Sequence, residues 1–246
     1  MNSRQDEKES ESLETQILRS WHINASPWSR AIRSASIASR ELVTNGAILE
    51  AVGSVSPPAS ARRGPWRVLD VGCGEGWLTR ALSSLGMRVL GIDAVPALVK
   101  DAQKSGGGDF QVLDYAAIGR REWHAGPFDA AVCNFSLLGA ESVESLIAGL
   151  AGYLANPGYL IIQTLHPVAA CGDAPYQDGW RAGTWRGFSS DFVDPAPWYF
   201  RTVETWQSLL ERCGFDLVET REPKAAEAMV PSSIIWICKP RVTAQT

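Results

Sequence analysis

The sequence predicts an α/β fold, a mostly parallel sheet with helices on both faces, and three observations lead there. Short apolar or β-branched runs alternate with amphipathic helical stretches between Arg67 and Leu165, the order that repeated β-α-β units require. The first of those runs breaks into glycines at every second position, Gly72, Gly74 and Gly76, so a strand must end and a helix begin within a handful of residues. The 246 residues, 45% hydrophobic and 20% charged, suffice for one such domain with additions and are ordinary for a globule in water.

Residues 1–12 are polar and charged and are expected to form a disordered tail. Leu13, Ile17 and Trp21 then recur every fourth residue, a turn is expected at 24–27, and a second helical stretch follows over 28–52. Residues 53–65, GSVSPPASARRGP, read as a linker. The main domain spans 66–240. Strands are expected at 67–71, 88–92, 110–113, 129–133 and 159–165, with helices after Gly76, over 96–104 and over 143–154. A further helix holds Val203, Trp206, Leu209 and Leu210, and two strand-like runs close the domain at 215–220 and 233–238.

A net charge of −4 and a pI near 5.5 argue against a nucleic-acid surface built on bulk charge. The five cysteines are dispersed, with no C-x-x-C pair or zinc spacing, which suits a reducing cytoplasm. No apolar run is long enough to span a bilayer, and the N-terminus lacks an apolar leader core. A soluble, cytoplasmic protein with no nucleic-acid partner and no bound metal is the expectation.

The stretch 68–82, VLDVGCGEGWLTRAL, places Asp70 two residues before the first glycine of a D-x-G-x-G-x-G turn. Glycines there bring the backbone close to a ligand, and the following helix start offers free N–H groups and a positive dipole end. The motif resembles motif I of the class I S-adenosylmethionine-dependent methyltransferases. The resemblance covers roughly residues 66–240. It implies a Rossmann-like seven-stranded, mostly parallel sheet with an antiparallel edge hairpin, an N-terminal helical lid over residues 13–65, and S-adenosylmethionine as cofactor. On that resemblance Gly72, Gly74 and Gly76 wrap the cofactor, and Asp70 orients its amino group or fixes the loop. Asp93, past the second strand, accepts the ribose hydroxyls or caps the next helix. Asp114 accepts the adenine amino group with Tyr115 packing on the ring, unless the two form a solvated turn. Asn134 faces the methionine end, or serves a turn.

Trp21, Trp28 and Trp77 could frame a sulfonium through cation–π attraction, with helix packing the main competing role for Trp21. Arg40 reads first as a solvated arginine, and otherwise as a partner for the cofactor carboxylate. Residues 166–201 form a long, structureless, aromatic-rich connection, and such insertions serve as lids or binding loops. Trp185, Trp198, Tyr199 and Arg201 are the candidates for a substrate wall, with a homodimer interface as the competitor. His166, at the end of the fifth strand, is the candidate base for an acceptor hydroxyl or amine, or a turn histidine before Pro167.

No N-P-P-Y signature follows the fourth strand, which points away from planar amino nitrogens of DNA or glutamine. The expectation is methyl transfer to a small, aromatic or quinone-like molecule, in the small-molecule branch similar to the ubiquinone and menaquinone biosynthesis methyltransferases. Two alternatives stand beside it. A nicotinamide-dependent oxidoreductase would need G-x-G-x-x-G, yet position 77 is Trp. A non-catalytic partner subunit would share the fold without the activity.

Overall fold

The computed structural model describes residues 11–61 and 64–241. Of the expected tail, 1–10 lie outside the described residues; Glu11 and Ser12 lie within them. Ser12 caps helix α1 (Leu13–Arg33), its side chain accepting a hydrogen bond from the Thr15 N–H.

The expected turn at 24–27 is absent, because α1 runs through Pro27. A proline inside a helix costs ~3 kcal/mol, and burial offsets it here. Ile17, Ser20, Asn24, Ala25 and Ser29 form a buried stripe that crosses the proline. The chain breaks instead at Ala35, in a left-handed conformation (φ 49°). Its N–H bonds to the Ile32 carbonyl and the Ser36 N–H to the Ala31 carbonyl, the paired bonds that commonly end a helix on glycine. Ala35→Gly should raise stability by ~0.5–1 kcal/mol, read as a shift in the urea midpoint. A short π-helical turn (Arg40–Thr44) and α2 (Asn45–Val55) follow.

The sheet joins β1 (Arg67–Val71), β2 (Arg88–Asp93), β3 (Asp109–Val112), β4 (Phe128–Asn134), β5 (Leu154–Leu165), β8 (Phe215–Arg221) and β9 (Ser233–Pro240). Its order is β3-β2-β1-β4-β5-β9-β8, with β9 antiparallel to both neighbours. This is the expected sheet, edge hairpin included. The fifth strand begins at 154 rather than 159.

Helices α3 (Trp77–Ser84), α4 (Pro96–Ser105), α5 (Tyr115–Gly119), α6 (Glu141–Leu150) and α8 (Val203–Arg212) make the crossovers. Alternation along the strands divides the core. Leu69, Cys133, Ile162 and Trp236 pack on α6 and α8, while Val68, Val132, Ile161 and Ile237 pack on α2 and α3. Residues 166–201 are not structureless. They hold α7 (Pro167–Cys171) and a small antiparallel pair, β6 (Gly179–Arg181) with β7 (Trp198–Phe200).

Because β1 to β5 are parallel, their carboxyl ends share one edge, and the order reverses between β1 and β4. Ligands of open α/β sheets bind at that switch point.

Candidate active site

A cavity of about 290 Å³ opens at this edge. It runs from Asp114 beyond β3, past the glycine turn, to Ser142 at the start of α6, under a roof formed by α1.

The glycine turn is strapped on two sides. Asp93 accepts the Gly74 N–H at 2.9 Å on one carboxylate oxygen and the Val95 N–H at 2.8 Å on the other. From the loop after β4, the Ser136 hydroxyl donates to the Val71 carbonyl at 2.7 Å, and the Tyr115 hydroxyl donates to the Ser136 carbonyl at 2.9 Å. A Cβ on Gly72 would come within 2.4 Å of the Ser136 Cβ, so close approach requires glycine there. Gly74 (φ 57°) has nothing nearer its missing Cβ than the Trp28 indole nitrogen at 3.5 Å. Its backbone lines the cavity. Gly76 differs, since a Cβ would strike the Phe110 ring at 2.6 Å. It serves packing and does not line the cavity.

Asp70 also stands behind the turn rather than in the cavity. It is buried and accepts the Thr79 hydroxyl at 2.7 Å. Burial pushes its carboxyl up to about 7, against the Thr79 hydrogen bond, with Asp93 and Glu75 adding to the rise. Its hydrogen bond ties β1 to α3 behind the turn. Burial likewise raises the Asp93 carboxyl, opposed by its two backbone N–H donors. Asp114 caps α5 by accepting the Ala117 N–H at 2.8 Å, and it lines the cavity beside Tyr115.

Two buried polar atoms in the cavity wall, the Asn134 side-chain oxygen and Nη2 of Arg40, have no hydrogen-bond partner among the described residues. Arg40 is not the solvated arginine its sequence context suggested. It is 9% exposed, with its guanidinium 4.8 Å from the Trp77 ring centre and 5.8 Å from that of Trp28. Burial lowers its pKa, while Glu75, Glu41 and Asp70 pull the other way. Leaving Nη2 without a hydrogen-bond acceptor at this depth is costly. The π-helical turn that presents it is a feature often found at functional sites. Trp21, Trp28 and Trp77 all line the cavity.

Other expectations need correction. His166 does not line the cavity. It is 5% exposed, lies beyond the end of the long β5, and has Nε2 engaged at 3.1 Å with Glu222 from the β8–β9 connection. Trp185, Trp198, Tyr199 and Arg201 stand one layer behind the wall. Trp185 packs edge-on against Trp21 at 5.9 Å. The Tyr199 N–H donates to the Leu138 carbonyl, and Arg201 donates to the carbonyls of Gly139 and Ala140 at 2.9 and 2.8 Å. Trp198 packs on Phe200. The insertion thus holds the β4–α6 loop, and that loop meets the cavity.

Sequence reasoning missed Glu14, Leu18, Leu138 and Ser142, which all line the cavity. Glu14 sits in the first turn of α1, where an acidic residue reads only as a complement to the helix dipole. Among the described residues no group of three or more His, Cys, Asp or Glu could hold a metal ion. None of their helices is long and apolar enough to cross a membrane.

Residues 33–220 match the family described as a methyltransferase domain, and the chain belongs to it. By family this is a methyltransferase domain, and its fold is the one seen in S-adenosylmethionine-dependent methyltransferases. It is 35% identical over 127 residues to a ubiquinone biosynthesis O-methyltransferase of Xanthomonas axonopodis pv. citri, a match covering 50% of each chain. The match spans about half the length of that relative. The fold is also that of an S-adenosylmethionine-dependent methyltransferase from Mesorhizobium loti, with TM-score 0.57 and 22% identity over 77% of this chain and 96% of that one. The 1,6-didemethyltoxoflavin-N1-methyltransferase of Burkholderia thailandensis, solved with that compound and S-adenosylhomocysteine, aligns with TM-score 0.60 at 18% identity, covering 93% of this chain and 89% of that one.

Proposed function

We propose that the protein moves a methyl group from S-adenosylmethionine to a small aromatic or quinone-like acceptor in the cavity beneath α1. The pairing of two unsatisfied polar atoms, Arg40 Nη2 and the Asn134 oxygen, beside a bare backbone at Gly74 carries the reading. A buried cation and a buried acceptor beside open backbone suit the carboxylate and ammonium of an amino-acid tail. In this reading Arg40 holds the carboxylate and Asn134 accepts from the ammonium. Asp93 keeps lone pairs for ribose hydroxyls after its two backbone bonds, and Asp114 faces the adenine amino group beside Tyr115. The bound cofactor supplies an electrophilic methyl carbon open to in-line displacement. The chain supplies alignment and exclusion of water: α1 roofs the cavity, and Trp21, Trp28 and Trp77 offer ring faces. The apolar wall of Ile17, Leu18 and Leu138, together with the named acceptors of the relatives, supports a small, flat acceptor. Five free thiols suit a reducing cytoplasm.

Calorimetric titration tests the reading. S-Adenosylhomocysteine should bind at micromolar or tighter concentrations, and NADH should give no heat. Gly74→Val should abolish that binding while far-UV circular dichroism stays unchanged. Undiminished affinity in the variant would refute the assignment, and no binding to the parent protein would favour a non-catalytic partner subunit.

A further inference from the structure

We infer that Glu14 sets the class of acceptor. It admits neutral or cationic small molecules that present an O–H or N–H donor, and it turns away those carrying a carboxylate or phosphate at that end. This rests on the proposed cofactor placement, which assigns the glycine turn, Arg40 and Asn134 to the donor and leaves the cavity beyond β4 for the acceptor.

That end is walled by Leu18, Leu138, Gly139, Ser142 and Glu14. Glu14 is its one charged group among the described residues, and the one cation lining the cavity, Arg40, sits against Trp77 at the glycine turn. The carboxylate is held firmly. One oxygen accepts the N–H groups of Ala140 at 2.8 Å and Ser142 at 3.4 Å, and the other accepts the Ser142 hydroxyl at 2.6 Å. The second oxygen therefore keeps a lone pair for a ligand donor. Beside an apolar wall, a fixed negative charge repels a nearby anion far more than it would in water. A donor group is aligned by the same atom, so attraction and rejection come from one side chain.

Saturation-transfer NMR on the full chain loaded with S-adenosylhomocysteine tests this, using matched pairs such as catechol and 3,4-dihydroxybenzoate, or aniline and 4-aminobenzoate. The parent protein should prefer the neutral member at least ten-fold. Glu14→Gln keeps the shape and can still accept from Ala140 and donate to the Ser142 oxygen; it should narrow that preference ten-fold with S-adenosylhomocysteine affinity within two-fold. Ser142→Ala, which leaves the carboxylate in place, should keep the preference. No preference in the parent, including no binding of either member, overturns the inference, as does a preference that survives Glu14→Gln. Loss of S-adenosylhomocysteine binding in Glu14→Gln also overturns it, showing Glu14 to be a clasp for the roof. Failure of the parent to bind S-adenosylhomocysteine is a different result and strikes the proposed function instead.

Discussion

Arg40→Met should weaken S-adenosylhomocysteine binding by roughly thirty-fold to several thousand-fold while making the ligand-free protein more stable. The two effects share one cause. Nη2 of Arg40 is buried with no hydrogen-bond partner among the described residues, so the guanidinium carries a desolvation cost that nearby carboxylates and the two indole rings offset in part and a ligand anion would offset further. Truncating one member of a buried charge pair typically costs ~2–5 kcal/mol of binding, which gives the stated range. Methionine has the length and flexibility to stay packed against Trp77 and Trp28. Replacing a buried charge with an apolar side chain is often neutral or stabilising by ~1–4 kcal/mol. Calorimetric titration and thermal unfolding without ligand read the two effects separately. A variant that binds normally and unfolds earlier would show that Arg40 is a packing residue with no anionic partner.

Asp70→Asn should abolish much of the loss of stability that the ligand-free protein suffers as pH rises. The Asp70 carboxyl is pushed up to about 7 in the fold from an ordinary value of 3.8. Between those values the unfolded chain releases this proton and the native protein keeps it. The native state then binds more protons, and stability falls with increasing pH. The contribution is fully present below about pH 4, declines through the interval, and is gone above pH 7, for a total on the order of a few kcal/mol. An asparagine oxygen still accepts the Thr79 hydroxyl and has no proton to lose. Urea unfolding at pH 5 and pH 8 should show the variant gaining on the parent protein at the higher pH. Asp93 is raised in the same direction, so some slope remains in the variant. A difference that does not change with pH would mean that Asp70 is already ionised in the fold.

The sheet was legible because each strand is bounded by the chemistry that ends it. The turn of Gly72 and Gly74 and the acids at 93 and 114 announced the tips of β1, β2 and β3, and the alternation of Val68 and Leu69 between two cores follows from the pleat. What stayed hidden depends on tertiary contact. Pro27 looks like a helix breaker until Asn24 and Ser20 are seen bonded to the insertion. Arg40 looks solvated until α2 is folded back onto the sheet, since nothing in a local window says that its face is covered. The aromatics at 185, 198 and 199, expected as a substrate wall, do not line the cavity. Their neighbours, Trp21 and the Leu138 carbonyl, are long-range partners that a sequence window cannot pair. His166 failed for a related reason, because Glu222 reaches it from the far edge hairpin.

The seam between α1 and the insertion has a consequence for how the chain matures. Asn24 exchanges hydrogen bonds with the backbone of Val193 at 2.7 and 3.0 Å, across a sequence separation of 169 residues. Most of the sheet lies between those two segments in the chain, and closing so long a loop carries a large entropic cost before the contacts reward it. The bonds that fasten α1 to the insertion can therefore form only after Val193 has been made, whereas Trp21 and Trp28 already meet Val95 and Leu98 at the start of α4. The roof of the cavity is thus fastened last, by a segment that lies outside the sheet.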